Sequence, residues 1–232
     1  MKLVKYPRTF HFPWSESNSS DDVWWTADDV ANYFHGKEVV VSEKMDGEST
    51  SMYNGHIHAR SMDSGHHPSR AWVKQLLGTF GHNIPQDFRI CGENLFAFHS
   101  IYYTDLPSYF MVYGIYDDNN YCLSWDDTLL YVHMLGLETV PILYRGIWDE
   151  KLIRNLWTGK GVYPTYSSPT VRRQFPEDFE ACTAEGYVVR LAEKFHYDDF
   201  SKSVAKMVRK NHVSTPTNWM TMFVVPNQLK VP

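Results

Sequence analysis

The chain of 232 residues carries 22 Lys and Arg residues against 27 Asp and Glu residues, a formal net charge of −5, and 43% of its residues are hydrophobic. This composition predicts a soluble globular protein of one domain, or at most two small ones, and excludes a disordered polypeptide. No apolar run is long enough for a transmembrane helix, and the start "MKLVKYPRTFHFPW" lacks the apolar core of a secretory signal. Three cysteines without a CxxC spacing favour the reducing cytoplasm over a disulfide framework or zinc site.

The predicted elements begin with a short helix at "TADDVANYF" (26–34), which Thr26 caps and whose first turn is acidic. The β-branched "EVVVSEKM" (38–45) predicts a buried strand that ends in a turn at Asp-Gly. "STSMYNGHIHARS" (49–61) predicts two strands around an Asn-Gly turn. "HPSRAWVKQLLGTF" (67–80) has helical spacing and predicts a helix with Ser69 as its cap.

The second half of the chain alternates predicted strands and helices. Strands are predicted at "DFRICGENLFAF" (87–98) and "SYFMVYGIYDD" (108–118), and helices at "WDDTLLYVHMLGL" (125–137) and "DEKLIRNLW" (149–157). Two late strands are predicted at "AEGYVVRL" (184–191) and "KSVAKMVRK" (202–210). This hairpin-rich order predicts an α+β fold with mainly antiparallel sheet.

Charge is unevenly distributed along the chain. The first fifty residues are acidic, whereas the stretch 190–210 is basic. A polyanion is therefore expected to bind the stretch 190–210, and this binding should weaken as the salt concentration rises. The cations of this stretch are Arg190, Lys194, Lys202, Lys206, Arg209 and Lys210.

The stretch "SEKMDGEST" (42–50) places Lys44 between an apolar strand and an Asp-Gly turn. Taken alone, this pattern favours a surface lysine before a turn, because such short patterns recur by chance. Later segments follow in a fixed order: "ARS" (59–61), "GEN" (92–94), "YFMVYG" (109–114), "AEGYVVR" (184–190) and "AKMVRK" (205–210). The chain thus offers lysine, arginine, glutamate, aromatic, glutamate and lysine in succession.

This ordered set resembles motifs I, Ia, III, IIIa, IV and V of the covalent nucleotidyltransferases, the superfamily of ATP-dependent polynucleotide ligases and capping enzymes. Within it, the chain most resembles RNA ligases of the T4 RNA ligase 2 type, over residues 42–210. The resemblance implies an α+β nucleotidyltransferase domain, ATP-grasp-like, of mainly antiparallel sheets flanked by helices. It also implies that residues 1–232 form this single domain, without an appended OB-fold or C-terminal helical domain.

By resemblance, Lys44 takes AMP covalently from ATP and passes it to the 5′-phosphate of an RNA. A 3′-hydroxyl then attacks, which releases AMP and seals the strand. The attacking amine must be neutral, whereas a free lysine has a pKa of about 10.4. Burial, neighbouring cations, and a divalent Mg²⁺ or Mn²⁺ ion are therefore expected to lower the pKa of Lys44.

The resemblance also assigns roles to other side chains. Lys44, Glu185 and Lys206 are implied as catalytic, with Glu185 holding the metal and Lys206 gripping the α-phosphate. Glu93 is implied to read the ribose, and Tyr113 to stack on adenine. The implied nucleotide site is completed by Glu43, by Asp46 and Gly47 at the turn, by Ser49, by Arg60 at the ribose or a phosphate, and by Arg209 or Lys210 as a second cation.

Two features depart from the family pattern. The chain has Tyr113-Gly114 where the ligases usually have Phe-Asp, and a wider spacing of cations where they have Lys-x-Lys. In a regular strand Lys206 shares a face with Lys210 and not with Arg209. The expected partner is RNA with 5′-phosphate and 3′-hydroxyl ends, with no membrane, and with a protein partner in place of the second domain. A DNA ligase, a capping enzyme, or a nucleotide- or RNA-end-binding module without turnover remain alternatives.

Structural roles are the alternative for individual residues. Glu93 and Glu185 would then be surface acids, and Tyr113 a core residue. Arg60 would pair with Asp46 or Asp63. His56 and His58 are predicted to form a polar strand face rather than a metal site, and Cys91 a buried thiol rather than a nucleophile.

Overall fold

The computed structural model describes residues 2–17, 21–62, 65–165, 184–210 and 223–231. These residues form two mainly antiparallel sheets flanked by helices, which confirms the predicted α+β class. The helices are α1 (Ala27–Phe34), α2 (Ala71–Phe80), α3 (Trp125–Met134), α4 (Glu150–Asn155) and α5 (Phe200–Ser203). The strands are β1 (Phe10–His11), β2 (Glu38–Glu43), β3 (Glu48–Tyr53), β4 (His56–Ala59), β5 (Arg89–Asn94), β6 (Phe110–Tyr116), β7 (Tyr121–Cys122), β8 (Glu138–Thr139), β9 (Ile142–Ile147), β10 (Gly186–Leu191), β11 (Phe195–His196) and β12 (Val204–Val208). None of these helices is long and apolar enough to cross a membrane.

The first sheet has five strands in the order β1-β12-β10-β2-β9. Its neighbours are antiparallel except for β1 and β12, which run parallel. Alternate side chains of a strand point to opposite faces. Val39 and Val41 of β2 therefore join Tyr187, Val189 and the helices α1 and α4 in one core, while Val40 and Val188 lie on the opposite face.

The second sheet has the order β11-β7-β6-β5-β3-β4, with β8 pairing in parallel with β6. One face carries Met52, Ile90 and Val112, which pack with apolar residues of α2 and α3 in a second core. Ser49 and Tyr113 lie on the other face, toward the first sheet. The two sheets therefore leave a polar space between them, and each also has its own apolar side.

Helix α1 begins where the sequence predicts. The side chain of Thr26 accepts a hydrogen bond from the main-chain N–H of Asp29, whose carboxylate accepts one from the Thr26 N–H in return. This reciprocal capping box satisfies two N–H groups that the helix leaves open. The predicted cap of α2 is wrong: a 3-10 turn at Pro68–Arg70 precedes α2, and it is His67 that accepts from the Ser69 N–H.

The predicted late strand at 202–210 is shorter than expected. Lys202 lies in α5, and the strand β12 covers only Val204–Val208. In α5 the Ser203 hydroxyl donates to the main-chain oxygen of Asp199 at 2.8 Å, so the chain is still helical at the residue before β12. Strand β9 and the short strands β1, β7, β8 and β11 were not predicted.

A buried ion pair attaches the turn before α2 to β3. Arg70 donates from Nε to Glu48 Oε2 at 2.7 Å, and its Nη2 binds the other carboxylate oxygen. The two side chains are only 5% and 11% exposed. Removing one partner would therefore leave a charge that is shielded from water.

We expect Glu48→Ala to lower the free energy of unfolding by about 3 kcal/mol, because Arg70 would keep its buried charge without this carboxylate. Glu38→Ala is the matched control, since Glu38 is partly exposed and its partner Arg145 also pairs with Asp126. The control should change the unfolding free energy by less than about 1 kcal/mol. Denaturant titration measures both variants, and equal losses would contradict the importance of burial.

Candidate nucleotide site between the two sheets

A cavity of about 430 Å³ lies between the facing sides of the two sheets. The first sheet contributes Val40, Val188 and Lys206 to its wall, and the second contributes Glu93 and Tyr113. Predicted site residues from distant parts of the chain are thus gathered in one place. Those that line the cavity are Glu43, Lys44, Gly47, Ser49, Arg60, Glu93, Tyr113 and Lys206.

Lys44 and Glu185 are brought together by strand pairing. The register of β2 and β10 sets Glu43 opposite Tyr187, and the Lys44 N–H then donates to the Gly186 oxygen at 2.9 Å. Lys44 Nζ lies 2.7 Å from Glu185 Oε2. On the other side of β10, a side chain at residue 186 would overlap the main-chain oxygen of Met207, so only glycine lets β12 approach this closely.

The ion pair with Glu185 determines the protonation of Lys44. Burial favours the neutral amine, but Glu185 and then Glu93 outweigh burial, and the pKa of Lys44 is raised. Burial thus acts in the expected direction, but the acids outweigh it, and the expected lowering by a divalent ion stays a prediction. Lys44 lines the cavity, whereas Glu185 does not, and its carboxylate is 8% exposed.

Lys206 is the cation of β12 that faces the cavity. Burial, and next the positive charge of Lys44, lower the pKa of Lys206 to about 8. Arg209 and Lys210 were predicted as its partner, but β12 ends at Val208, and neither residue is among the described residues that line the cavity. The Arg209 N–H donates to the main-chain oxygen of Glu185, and the Lys210 N–H donates to the Glu16 carboxylate.

Strands β3, β5 and β6 position the polar groups on the opposite wall. Ser49 is paired with Glu93 across β3 and β5, and its hydroxyl lies 2.6 Å from the Tyr113 hydroxyl. Glu93 Oε1 accepts a hydrogen bond from the Gly47 N–H at 3.2 Å. Burial and then the nearby Glu185 raise the pKa of Glu93 to about 8, although Lys44 opposes them.

The turn at Asp46 and Gly47 is held by the loop that follows β5. The Asp46 carboxylate accepts hydrogen bonds from the main-chain N–H groups of Ser100 and Ile101, at 2.7 and 2.6 Å. Asp46 therefore fixes the turn through the loop after β5, and it is not among the described residues that line the cavity. At residue 47 a Cβ would lie 2.5 Å from the Asn94 oxygen, so glycine is required there too.

Glu43 is a buried acid next to the lysine. Its Oε2 accepts from the Val162 N–H at 2.6 Å, and its Oε1 has no hydrogen-bond partner among the described residues. Burial raises the pKa of Glu43 from 4.5 to about 7, and the Val162 hydrogen bond opposes the shift. An unpartnered buried acceptor beside the cavity suits a ligand that brings an N–H or O–H donor.

The sequence did not predict that the N-terminal residues would line the cavity. Tyr6, Arg8 and Asp22 all contribute to its wall. They reach it because β1 pairs with β12 and sets His11 opposite Lys206. No local pattern signals this parallel pairing between opposite ends of the chain.

The six cations of the basic stretch 190–210, where a polyanion is expected to bind, differ in their environments. Arg190 is buried and donates to the main-chain oxygens of Tyr113, Leu123 and Leu191. Lys202 lies on α5 at 3.5 Å from Asp199. Of the six cations, Lys206 and Arg190 line the cavity.

The other candidate chemistries find little support in the structure. Among the described residues no three His, Cys, Asp or Glu side chains form a metal-binding group, and His58 binds the Ala59 oxygen. Cys91 is fully buried, and burial raises its pKa to about 11, which disfavours a thiolate nucleophile. Asp63 and Cys182 lie outside the described residues.

Comparison with known proteins gives a consistent result. A family model described as RNA ligase matches residues 37–208. The structure is similar to an archaeal ATP-dependent RNA ligase, with a TM-score of 0.52 and 14% identity over 91% of this chain. It is also similar to a putative ATP-dependent DNA ligase from Aquifex aeolicus (TM-score 0.52, 17% identity, 91% of this chain). A mutant Naegleria gruberi RNA ligase with ATP and Mn has a TM-score of 0.51, with 15% identity over 81% of this chain. No curated protein matches the sequence.

These similarities establish the nucleotidyltransferase fold that the sequence predicts. The chain spans about half the length of the structures it matches: 49% of the archaeal ligase, 51% of the Aquifex aeolicus ligase and 53% of the Naegleria gruberi ligase.

The pKa of Glu43 predicts how stability depends on pH. Between pH 4.5 and about 7 the folded protein keeps a proton that the unfolded chain has lost. Folding stability contributed by this group therefore falls as pH rises through that window, by on the order of 3 kcal/mol in total.

Glu43→Gln removes this titration but keeps an acceptor for the Val162 N–H. We expect the variant to match the wild-type protein near about pH 4 and to be more stable by on the order of 3 kcal/mol at about pH 8. Urea titration at each pH measures the difference. A difference that does not vary with pH would contradict the raised pKa.

Proposed function

The chain belongs to the RNA ligase family, and we propose that it joins RNA ends by carrying AMP from ATP on Lys44. One observation carries this proposal. Lys44 Nζ touches Glu185 at the wall of a cavity that also holds Glu93, Tyr113 and Lys206. A reactive amine, a carboxylate beside it, an aromatic ring and a second cation are the groups that adenylate transfer from ATP requires.

The first step joins the Lys44 nitrogen to the α-phosphorus of ATP. The ammonium must first lose a proton to water, so its 2.7 Å contact with Glu185 Oε2, which raises the pKa of Lys44, must open. The amine then attacks phosphorus, the P–N bond forms, and pyrophosphate leaves with the electron pair of the broken P–O bond. A second proton leaves the nitrogen as the phosphoramide forms. Lys206 is placed to balance phosphate charge during this transfer.

Two further steps complete the proposed reaction after AMP is bound to Lys44. An oxygen of the RNA 5′-phosphate attacks the phosphorus, so that the P–N bond breaks and Lys44 recovers its amine. A 3′-hydroxyl of the second RNA end then attacks the activated 5′-phosphate. A new phosphodiester bond forms, AMP leaves, and the hydroxyl proton passes to solvent or a nearby base.

The adenine base fits the aromatic and acidic side of the cavity. Tyr113 offers a ring whose hydroxyl is held by Ser49, and such a ring can stack on a base. Glu43 Oε1 needs a donor, and an exocyclic amino group supplies one. Glu93 lines the same cavity, where a ribose hydroxyl can donate to its carboxyl group.

A divalent cation also fits, provided that ATP brings ligands with it. Mg²⁺ is commonly held by one or two carboxylates together with phosphate oxygens and water. Glu185 suits this role once its contact with Lys44 opens, and it is the residue that we propose for Mg²⁺ or Mn²⁺. The bound ion would neutralise negative charge on the phosphates.

We expect protein incubated with α-labelled ATP and Mg²⁺ to retain the label after denaturation, and Lys44→Ala to lose it completely. The covalent P–N bond keeps the label on the denatured protein, whereas ATP that is bound without a covalent bond is released. Mass spectrometry should find one AMP on the peptide that contains Lys44. Lys37→Ala, which removes a lysine outside the cavity wall, is the matched control and should label normally.

Chase experiments separate the family activity from its alternatives. Labelled protein should pass AMP to an RNA with a 5′-phosphate, and should then seal it to an RNA 3′-hydroxyl more readily than to DNA. Preference for a DNA 3′-hydroxyl would identify a DNA ligase. Labelling by GTP in place of ATP would identify a capping activity. A protein that binds ATP but never takes the label would be a binding module.

We expect Tyr113→Ala to weaken ATP binding by about 1–3 kcal/mol, because the base loses its stacking partner. Tyr113→Phe keeps the ring and loses only the hydrogen bond with Ser49, so its loss should be about 1 kcal/mol or less. Calorimetric titration with ATP measures both variants. Equal losses would show that the hydroxyl, and not the ring, is what matters.

A further inference from the structure

Three arginines line the cavity, and two of them, Arg60 and Arg190, belong to the motif set. Arg60 follows β4, and Arg8 belongs to residues 4–9, which we call the N-terminal segment. The segment lies before the residues that the RNA ligase model matches. Arg8 therefore adds a cation to the cavity that the family motifs do not include.

The N-terminal segment is held in place at several points. The Val4 N–H donates to the Tyr53 hydroxyl at 3.0 Å, and the Tyr197 hydroxyl donates to the Lys5 oxygen at 2.8 Å. The ring of Tyr6 packs edge-on against that of Tyr113, with centroids 5.0 Å apart. Two different strands of the second sheet thus anchor the segment, which fixes where its next residues lie.

Arg8 is positioned by a main-chain group. Its Nη1 donates to the main-chain oxygen of Asp21, which orients the guanidinium. Asp21 and Asp22 both line the cavity nearby, and the Asp22 carboxylate contacts Ser17 and lies 3.2 Å from His11 Nε2. Arg8 is exposed, so it stands at the mouth of the cavity.

Arg60 lies in the same wall without an acidic partner. No carboxylate in the described parts of the chain forms an ion pair with it. The Arg60 N–H donates to the Ser49 oxygen, the Ser49 hydroxyl contacts the Tyr113 hydroxyl, and the Tyr6 ring packs against that of Tyr113, so Arg60 lies beside the segment that carries Arg8. Burial, and next repulsion by the positive charge of Arg8, lower the pKa of Arg60. An anion between them would relieve this repulsion.

We propose that Arg8 and Arg60 form a binding site for a terminal phosphate that carries two negative charges. Planar guanidinium groups bind phosphate oxygens through paired hydrogen bonds, which suits this ligand better than a carboxylate or a base. The proposal rests on the proposed function for the source of the phosphate. That source is either the end of the triphosphate of ATP or the 5′-phosphate of an RNA.

Arg8→Gln and Arg60→Gln test the site, with Lys5→Gln as the matched control that removes an exposed charge from the same segment. Glutamine at residue 8 can still donate to the Asp21 oxygen. Dissociation constants are measured for ATP against AMP, and for a short RNA with a 5′-phosphate against the same RNA with a 5′-hydroxyl. We expect both arginine variants to lose about tenfold in affinity for one phosphorylated member of these pairs, and the control to lose none.

Loss confined to ATP assigns the site to the triphosphate, and loss confined to the 5′-phosphorylated RNA assigns it to the RNA end. If both arginine variants keep the wild-type preference for ATP over AMP and for the 5′-phosphorylated RNA over the 5′-hydroxyl RNA, the proposed site is overturned. Arg60→Gln lies outside the N-terminal segment, so it decides the matter if Arg8→Gln unfolds. Absence of AMP on Lys44 together with these losses would refute the ligase and leave the phosphate site standing.

Discussion

Antiparallel pairing between β2 and β10 is the constraint on which the site depends. The pairing continues past the end of β2, where the Lys44 N–H donates to the Gly186 oxygen, so the amine of Lys44 and the carboxylate of Glu185 must meet. The same pairing sorts the remaining side chains by face. One face of the sheet closes a core with α1 and α4, and the other face becomes a wall of the cavity.

Opposite charges in the cavity wall satisfy one another in the absence of ligand. Glu185 holds Lys44 as an ammonium ion, while burial raises the pKa of Glu93 and lowers that of Lys206. A nucleotide brings negative charge that competes with the carboxylates for the cations. In the proposed reaction, binding of phosphate and separation of the lysine from Glu185 are therefore linked. The proposed nucleophile would then stay protonated until the nucleotide binds.

Local patterns predicted the motif-bearing strands well, because apolar alternation and turn residues act over a few positions. The capping box of α1 and the hairpin at β3 and β4 are examples. Features that depend on distant partners were missed or misjudged. Strand β9 is mostly exposed or half-buried, and its side chains show no clear alternation of burial. Arg190 was interpreted as a surface cation, but it is buried and donates hydrogen bonds to main-chain oxygens. The contribution of Tyr6 and Arg8 requires β1 to reach β12, which no short pattern encodes.

Strand β1 also has a practical consequence for how the domain is delimited. The family match begins at residue 37, yet β12 has β1 as its outer neighbour, and the Phe12 N–H donates to the Lys206 oxygen. A protein trimmed to the matched region would lose that neighbour together with Phe12 and Trp25 of the first core. It would expose β12 as a bare edge, open to pairing with another chain. The folding unit is thus larger than the region of sequence similarity, and a shortened protein would be prone to aggregate.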